Sequence, residues 1–216
     1  MSVNVFGNLP SPLLVIVAGP NGSGKTTLSR DLFPDPDETD MVWLNADELV
    51  QYLRETDSDI ENIPLHAAKT IDGMLDECIE NRESVLVETV LSSGKYQSRV
   101  KRAKELGFYV LFVFVTLDRP ELNIERVAQR VRESGHDVPE EKIRSRYHKS
   151  IAEATGFFGV EAHLTIFMDN TSSPVELLRV VDGYITIKDK KRCEEIIPGF
   201  EPFAAKFRQK TLVRRK

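Results

Sequence analysis

The stretch AGPNGSGKTTL at residues 18–28 follows directly on the apolar run LLVIV at residues 13–17. Its spacing, a glycine, then four residues, then Gly-Lys-Thr, is that of a phosphate-binding loop. Glycines in such a loop let backbone N–H groups converge on an anion where a helix begins. The strand-like run before the loop and a helical pattern from Thr27 to Phe33 supply the context that the motif needs. The stretch therefore predicts a nucleotide-binding site.

The loop residues are expected to divide the work of holding a nucleotide and its metal ion. Lys25 would reach the β and γ phosphates, and the hydroxyl of Thr26 would ligate Mg²⁺. The residues expected to bind the nucleotide are Gly19, Pro20, Asn21, Gly22, Ser23, Gly24, Lys25, Thr26 and Thr27. ATP and Mg²⁺ are accordingly the predicted cofactors.

Five apolar runs along the chain predict strands of one sheet. The runs LLVIVA (13–18) and VLFVFV (110–115) are continuous and rich in β-branched residues, as in strands that are covered on both faces. Further candidates are MVWLN (41–45), SVLVETV (84–90) and LTIFM (164–168). Segments of helix length separate these runs, so we expect an α/β three-layer sandwich around a mostly parallel central sheet.

Two acids follow predicted strands, at the sheet edge where open α/β folds bind ligands. Asp47, in LNADEL, would accept the proton of a substrate hydroxyl or hold a water of Mg²⁺. Alternatively, Asp47 caps the helix that follows it. Glu88 ends an apolar run, which indicates burial and a contact with a metal-bound water or a substrate hydroxyl. Its alternative is a solvated acid at the end of a strand.

Three stretches place a glutamate three positions after a capping residue, a spacing that predicts a helix start: residues 118–121, 137–140 and 173–176. The first two open a helical hairpin over about residues 121–153. Its arginines are Arg126, Arg130, Arg132, Arg144 and Arg146. Guanidinium groups neutralise charge on a phosphoryl group in transfer, so the hairpin resembles a closing lid. For any single arginine, ordinary solvent exposure is the alternative.

Composition limits the classes of partner. The 29 basic and 34 acidic residues give a formal charge of -5, which argues against a broad nucleic-acid surface. The two cysteines, Cys78 and Cys193, show no metal-type pairing. The apolar run near the N-terminus is too short for a membrane span and lacks the flanks of a secretory signal. We therefore expect a cytoplasmic protein without membrane contact.

The length of 216 residues suits one domain with a lid. We expect a phosphate-loop kinase domain over residues 1–184. Residues 185–216 are expected to form a C-terminal segment that packs on this domain or extends from it.

Taken together, residues 13–175 resemble the zeta-toxin-like family of small phosphate-loop kinases, and more narrowly a bacterial subgroup often labelled as predicted ATPases. The resemblance lies in AGPNGSGKTT, NADEL, LVETVLS, ERVAQRVRESGHDVPEEKIRSRYHKS and IFMDN. The first motif is generic, whereas the long arginine-containing run is specific.

The resemblance implies an ATP-dependent kinase that acts on the hydroxyl of a small molecule, such as the 3'-hydroxyl of UDP-N-acetylglucosamine. It implies that Asp47 is the general base, Glu88 a substrate-side acid and Arg130 the first lid arginine. The second lid arginine does not align simply, and Arg146 is the expected replacement. An antitoxin protein as partner is suggested by the resemblance alone.

Three other functions remain open from the residues. A nucleoside-monophosphate or antibiotic-type kinase would need the same parts with a different pocket. An ATP-dependent switch with slow ATPase activity would use lid closure to signal to a protein partner. A nucleic-acid end-processing kinase fits the motif but conflicts with the negative charge of the chain.

Overall fold

The computed structural model describes residues 9–33, 35–36, 39–57, 59–133 and 138–209. Within these ranges, eight strands form one sheet in the order β2-β3-β1-β4-β5-β6-β7-β8. The strands are β1 (Leu13–Ala18), β2 (Val42–Asn45), β3 (Val85–Thr89), β4 (Tyr109–Thr116), β5 (Leu164–Asp169), β6 (Val175–Val181), β7 (Tyr184–Ile187) and β8 (Arg208–Gln209). The first five strands pair in parallel, β6 is antiparallel to both of its neighbours, and β8 pairs in parallel with β7.

Helices connect and cover the strands. They are α1 (Lys25–Leu32), α2 (Ala46–Thr56), α3 (Ile63–Asn81), α4 (Gln97–Glu105), α5 (Pro120–Arg132), α6 (Glu140–Glu153), α7 (Gly159–Glu161), α8 (Lys190–Ile196) and α9 (Phe200–Ala204). A single π-helical turn joins α6 to α7. Strand–helix alternation over the first two thirds of the chain confirms the predicted α/β class.

Side chains of the central strand alternate between two apolar cores, one on each face of the sheet. Leu14 and Ile16 enter the larger core, which also contains the buried faces of α3, α4 and α6. Val15 and Val17 enter a smaller core that Leu28 of α1 helps to close. The two cores on opposite faces confirm the three-layer arrangement, and the parallel strand ends bring the loops after β1, β2, β3 and β4 to one edge.

The three predicted helix starts have different outcomes. Helix α5 begins at Pro120 and α6 at Glu140, close to the expected places, although Asp137 lies outside the described residues. The prediction at residues 173–176 is wrong, because Val175–Val181 forms β6 instead. Leu177, Leu178 and Val180 are buried in that strand, and pairing with β5 and β7 outweighs the local capping pattern.

The C-terminal segment contributes to the same sheet and core. Strand β7 lies astride the expected boundary at residues 184 and 185, and it pairs with β6 over its whole length. Cys193, Ile196 and Phe203 of α8 and α9 are buried in the larger core. No helix in the described part of the chain is long and apolar enough to span a membrane.

Candidate active site

The phosphate loop connects β1 to α1, and close approach by neighbouring segments explains its glycines. Gly24 has a φ of +86°, and a Cβ atom there would collide with the side-chain amide nitrogen of Asn170. Gly22 has a φ of +76°, and a Cβ atom would lie 2.7 Å from the carbonyl oxygen of Asn123 on α5. Both positions combine a left-handed backbone with a crowded site, so only glycine fits there without strain.

The side chain of Lys25 folds back over this loop. Its Nζ donates hydrogen bonds to the carbonyl oxygens of Gly19 at 2.9 Å and Pro20 at 3.1 Å. The ammonium group is therefore held where the loop would receive an anion, at the N-terminal end of α1.

Lys25 lies among two carboxylates and two guanidinium groups. Burial lowers the pKa of Lys25, the negative charges of Glu88 and Asp47 oppose that shift, and the positive charges of Arg130 and Arg146 add to it. The structure thus places the other four predicted reaction-site residues within electrostatic range of Lys25. The positive charges of Arg130 and Arg146 act against that of Lys25, and a bound polyphosphate would favour all three cations.

Glu88 and Thr26 form a direct pair beside the lysine. The hydroxyl of Thr26 donates to Oε2 of Glu88 at 2.7 Å, and the amide of Asn45 donates to the same oxygen at 3.2 Å. Glu88 is only 8% exposed. Burial raises the pKa of Glu88, while the hydrogen bond from Thr26 and the charge of Lys25 counteract part of that rise. The expectation of a buried acid at this position is confirmed.

The Thr26–Glu88 pair has the chemistry of a magnesium site. A hydroxyl and a carboxylate oxygen are hard ligands, and Mg²⁺ is commonly held by one or two such groups together with phosphate oxygens and waters. Among the described residues, no group of three or more histidine, cysteine, aspartate or glutamate side chains forms a metal cage. The donor set therefore fits an ion that arrives with a nucleotide.

Asp47 is not the cap of α2. Asn45 is the cap, because its Oδ1 accepts hydrogen bonds from the backbone N–H groups of Asp47 at 2.9 Å and Glu48 at 3.4 Å. The Asp47 carboxylate is exposed, and none of the described side chains donates a hydrogen bond to it. It therefore lies open beside the phosphate loop, which removes the structural alternative considered for this residue.

Both lid helices form hydrogen bonds with Asn21 of the phosphate loop. Asn21 is 5% exposed, and its carbonyl oxygen accepts a 2.7 Å hydrogen bond from the amide of Asn123 on α5. Its own Oδ1 accepts a 3.2 Å hydrogen bond from Nη1 of Arg146 on α6. The lid hairpin and the phosphate loop are thus joined in this conformation.

The five lid arginines have different environments. Arg126 donates to the carbonyl oxygens of Asn170 at 2.9 Å and Thr171 at 3.0 Å, so it fastens the turn after β5. Arg144 pairs with Glu121 at the surface, and Arg132 is exposed. The remaining two, Arg130 and Arg146, are half-buried and influence Lys25.

The segment after β3 is held in an unusual backbone conformation. Leu91 has a φ of +55° and is 2% exposed, and its N–H donates to the hydroxyl of Thr89 at 3.1 Å. The hydroxyl of Ser150 on α6 lies 2.5 Å from the carbonyl oxygen of Val90. A buried leucine in this region costs about 1–3 kcal/mol and marks a segment that its surroundings fix in place.

Sequence reasoning missed two asparagines that brace the phosphate loop. Asn123 is fully buried on α5, and Asn170 donates a 2.9 Å hydrogen bond to the carbonyl oxygen of Ser23. The position of Asn170 after the last predicted parallel strand indicates a place near the adenine, and that stays a prediction. The available signal for Asn123 was an uncharged polar residue on the buried face of an amphipathic helix, where an amide needs a partner.

A phosphate loop between a buried parallel strand and a helix, with acids at the adjoining strand ends and an arginine-bearing helical pair over the loop, defines a phosphate-loop kinase. The sequence profile of the Zeta toxin family matches residues 5–173. The chain belongs to that family, as the sequence motifs predicted. It is also 29% identical over 133 residues to an uncharacterised protein of Haemophilus influenzae, an alignment that covers 62% of this chain and 91% of that protein.

Solved structures share the fold at low sequence identity. The native AvrRxo1-ORF1:-ORF2 complex gives a TM-score of 0.71 at 15% identity, over 87% of this chain and 64% of that chain. The same complex with ATP gives 0.71 at 16%, over 90% and 66%. The chain thus spans slightly less than two thirds of the AvrRxo1-ORF1:-ORF2 chain that it matches. The PezAT toxin-antitoxin system of Streptococcus pneumoniae gives 0.61 at 15%, over 88% of this chain and 79% of that chain.

Proposed function

We propose that this protein is an ATP-dependent kinase that transfers the γ-phosphoryl group to a hydroxyl group of a small molecule. The observation that carries the proposal is that the Lys25 ammonium lies over the phosphate loop, while Glu88 binds the neighbouring Thr26 and Arg146 binds Asn21 of that loop. Arg130 and the exposed Asp47 lie close enough to influence the charge of Lys25. Cations suit a transferring phosphoryl group, and an exposed carboxylate beside them suits a proton acceptor.

Residues Gly19–Thr27 would hold the nucleotide. The loop leads into the N-terminal end of α1, a position that favours an anion, and Lys25 would exchange its two loop carbonyl partners for phosphate oxygens. ATP is the proposed nucleotide, since the family consists of kinases and the AvrRxo1-ORF1:-ORF2 complex was solved with ATP.

Thr26 and Glu88 would hold Mg²⁺. The ion, when bound, would neutralise negative charge on the phosphate oxygens. The Thr26 hydroxyl donates its hydrogen to Glu88, which leaves its oxygen lone pairs available to ligate the ion. The expected role of Glu88 at the acceptor is compatible with a place on the metal side, because the substrate would lie next to both.

Asp47 would act as the general base. A bond forms between the acceptor oxygen and the γ-phosphorus, the bond from that phosphorus to the bridging oxygen of ADP breaks, and the proton of the hydroxyl passes to Asp47. The carboxylate is suited to this role because it is exposed and accepts no hydrogen bond from a described side chain. ADP leaves with the negative charge, and Asp47 returns the proton to water.

Arg130 and Arg146 would stabilise the charge that develops on the phosphoryl group. Arg146 is at present bound to Asn21 of the phosphate loop, within reach of the same site. Guanidinium groups are well suited here because they stay protonated and offer several donors to phosphate oxygens.

The residues of this site suit several classes of acceptor. UDP-N-acetylglucosamine is the first acceptor to test, on the strength of family membership. A nucleoside monophosphate or a hydroxyl-bearing antibiotic would use the same residues. An antitoxin partner is supported by the likeness to the PezAT toxin-antitoxin system, and a cytoplasmic location agrees with ATP as cofactor.

Transfer of label from γ-labelled ATP tests this function. Purified protein would be incubated with Mg²⁺ and separate pools of nucleotide sugars, nucleoside monophosphates and antibiotics, with the Lys25→Ala variant as control. We expect label to move to an organic acceptor in one pool. Release of inorganic phosphate at the same rate in every pool, with no labelled acceptor, would instead favour the ATP-dependent switch.

A further inference from the structure

An ion pair links the C-terminal segment to the end of β5. Arg192 of α8 donates from Nε to Oδ2 of Asp169 at 2.7 Å and from Nη2 to the hydroxyl oxygen of Thr171 at 3.1 Å. Asp169 is 9% exposed, and the guanidinium therefore lies against a largely buried carboxylate. A two-pronged contact of this kind fixes both distance and orientation.

The hydroxyl of Thr171 uses all of its hydrogen-bonding capacity. It donates to Oδ1 of Asp169 and accepts from Arg192 and from the backbone N–H of Asp118 at 3.1 Å. The backbone N–H of Thr171 also donates to Oδ1 of Asp169 at 2.9 Å. One donor and two acceptor positions are therefore satisfied, which locks the turn at residues 169–171.

Asn170 lies at the centre of this turn and reaches the phosphate loop. Its backbone N–H donates to Thr116 at 2.9 Å, and its side-chain amide donates to the carbonyl oxygen of Ser23 at 2.9 Å. The absence of a side chain at Gly24 makes room for that amide. A shift of the turn at residues 169–171 would therefore displace the carbonyl group of Ser23, and with it the phosphate loop.

Helix α8, which carries Arg192, is fixed by a cap at its start and by buried side chains. Asp189 caps α8 by accepting a hydrogen bond from the backbone N–H of Arg192 at 2.9 Å. The neighbouring Cys193 and Ile196 are buried in the larger core. Arg192 is thus anchored at its own backbone, and its side chain is 25% exposed.

We propose that Arg192 is a positioning residue for the nucleotide site, acting through Asp169, Thr171 and Asn170 on the carbonyl of Ser23. The match to the family profile ends at residue 173, so this contribution comes from outside the matched region. The inference rests on the proposed function in one respect: residues 19–27 must bind ATP.

A double-mutant cycle on ATP binding by the full-length protein tests this inference. Calorimetry would measure the Kd of Mg·ATP for Arg192→Ala, Asn170→Ala and the double variant, below the melting temperature of each. Lys191→Ala is the matched control, because that side chain is 88% exposed and lies 3.9 Å from Glu195 in a surface ion pair. We expect each single change to weaken binding by about 3- to 10-fold, the usual effect of losing one anchored hydrogen bond. The control should bind like the unmodified protein.

The double variant shows whether Arg192 acts through Asn170. If Arg192 acts through Asn170, removing Arg192 from the Asn170→Ala protein changes the Kd little, and the two losses do not multiply. Multiplying losses, or normal ATP binding by Arg192→Ala, would overturn the inference. Failure of the unmodified protein to bind ATP would overturn the proposed function, and the inference with it.

Arg192→Lys and Asp169→Asn test the same inference if Arg192→Ala does not fold. Arg192→Lys retains the charge but has one nitrogen in place of the two that contact Asp169 and Thr171. Asp169→Asn leaves the shape of the turn and removes the charge. Both should weaken ATP binding in the same direction as Arg192→Ala, and normal binding by both would contradict the inference.

Discussion

Glu88, which we propose as a ligand of Mg²⁺, carries a buried charge that costs stability. It is a carboxylate with 8% exposure, and burial raises its pKa. Because the folded protein keeps this proton to a higher pH than the unfolded chain does, Glu88 stabilises the fold at low pH. The free energy of unfolding then falls as the pH rises through the pKa of the folded state.

Glu88→Gln should therefore increase stability at neutral pH while impairing transfer. The neutral amide keeps an oxygen that can accept from Thr26 and Asn45, and it removes the buried charge. Denaturant unfolding from about pH 4 to about pH 8, an interval that begins near the ordinary glutamate pKa, should show the variant gaining stability relative to the unmodified protein. Phosphoryl transfer should fall by about 10²-fold or more, since the proposed charged ligand of Mg²⁺ would be lost.

Exposed Glu83→Gln is the control for this change. It should leave both the pH dependence and the transfer rate as they are. A Glu88→Gln protein that is less stable than the unmodified protein at about pH 8 would contradict the assignment of a destabilising buried charge.

Lys25→Ala should abolish transfer, because the ammonium group is held over the phosphate loop by Gly19 and Pro20. Groups of this kind contribute several kcal/mol, so less than about a tenth of the activity should remain. Labelled-ATP transfer measures this directly. Greater residual activity would place the γ-phosphate elsewhere.

The sequence predicted which residues lie at the site better than it predicted the hydrogen bonds that they form. Lys25, Thr26 and Glu88 lie together as their spacing implied, because strand order brings the loops after β1 and β3 to one edge. Asn45, and not Asp47, caps α2. Both residue types are favoured as caps, so the sequence pattern could not distinguish between them.

The lid hairpin, formed by α5 and α6, is expected to supply two arginines that stabilise the transition state. Arg130→Ala and Arg146→Ala should each lower kcat by about 10²- to 10³-fold and change the Kd of ATP much less, since their charges matter most in the transition state. Arg132→Ala, an exposed arginine on α5, is the matched control and should behave like the unmodified protein.

Single-turnover kinetics with separate ATP titrations distinguish these outcomes. Normal kcat in both Arg130→Ala and Arg146→Ala would reduce the hairpin to a charged surface element. Loss of ATP affinity without loss of kcat would assign the arginines to ground-state binding.

Strands with continuous apolar runs were predictable, whereas β6 was not. Strands β1, β3, β4 and β5 are buried on both faces and stand out by composition alone, whereas the edge strand β2 is mostly half-buried. Strand β6 follows Ser173 and Pro174, whose pattern resembles a helix start, and its strand character depends on β5 and β7. Pairing between separate parts of the chain is invisible to a local pattern.

For the whole molecule, nucleotide binding should couple to stability. A ligand that binds only the folded state at about 100 times its Kd adds about 2.7 kcal/mol to the free energy of unfolding. Mg·ATP should therefore raise the melting temperature more than ATP with a chelator does. The same increment in both conditions would argue against a magnesium site at Thr26 and Glu88.

Asp47→Asn tests the proposal that Asp47 removes the proton of an acceptor hydroxyl. Because Asn45 caps α2, this change should leave folding near that of the unmodified protein, with at most about 0.3–1 kcal/mol lost from the helix dipole. With an acceptor identified, transfer should fall by roughly 10²- to 10⁴-fold at unchanged ATP affinity, and added Mg²⁺ should not restore it. Turnover like that of the unmodified protein, in a folded Asp47→Asn variant, would contradict the account.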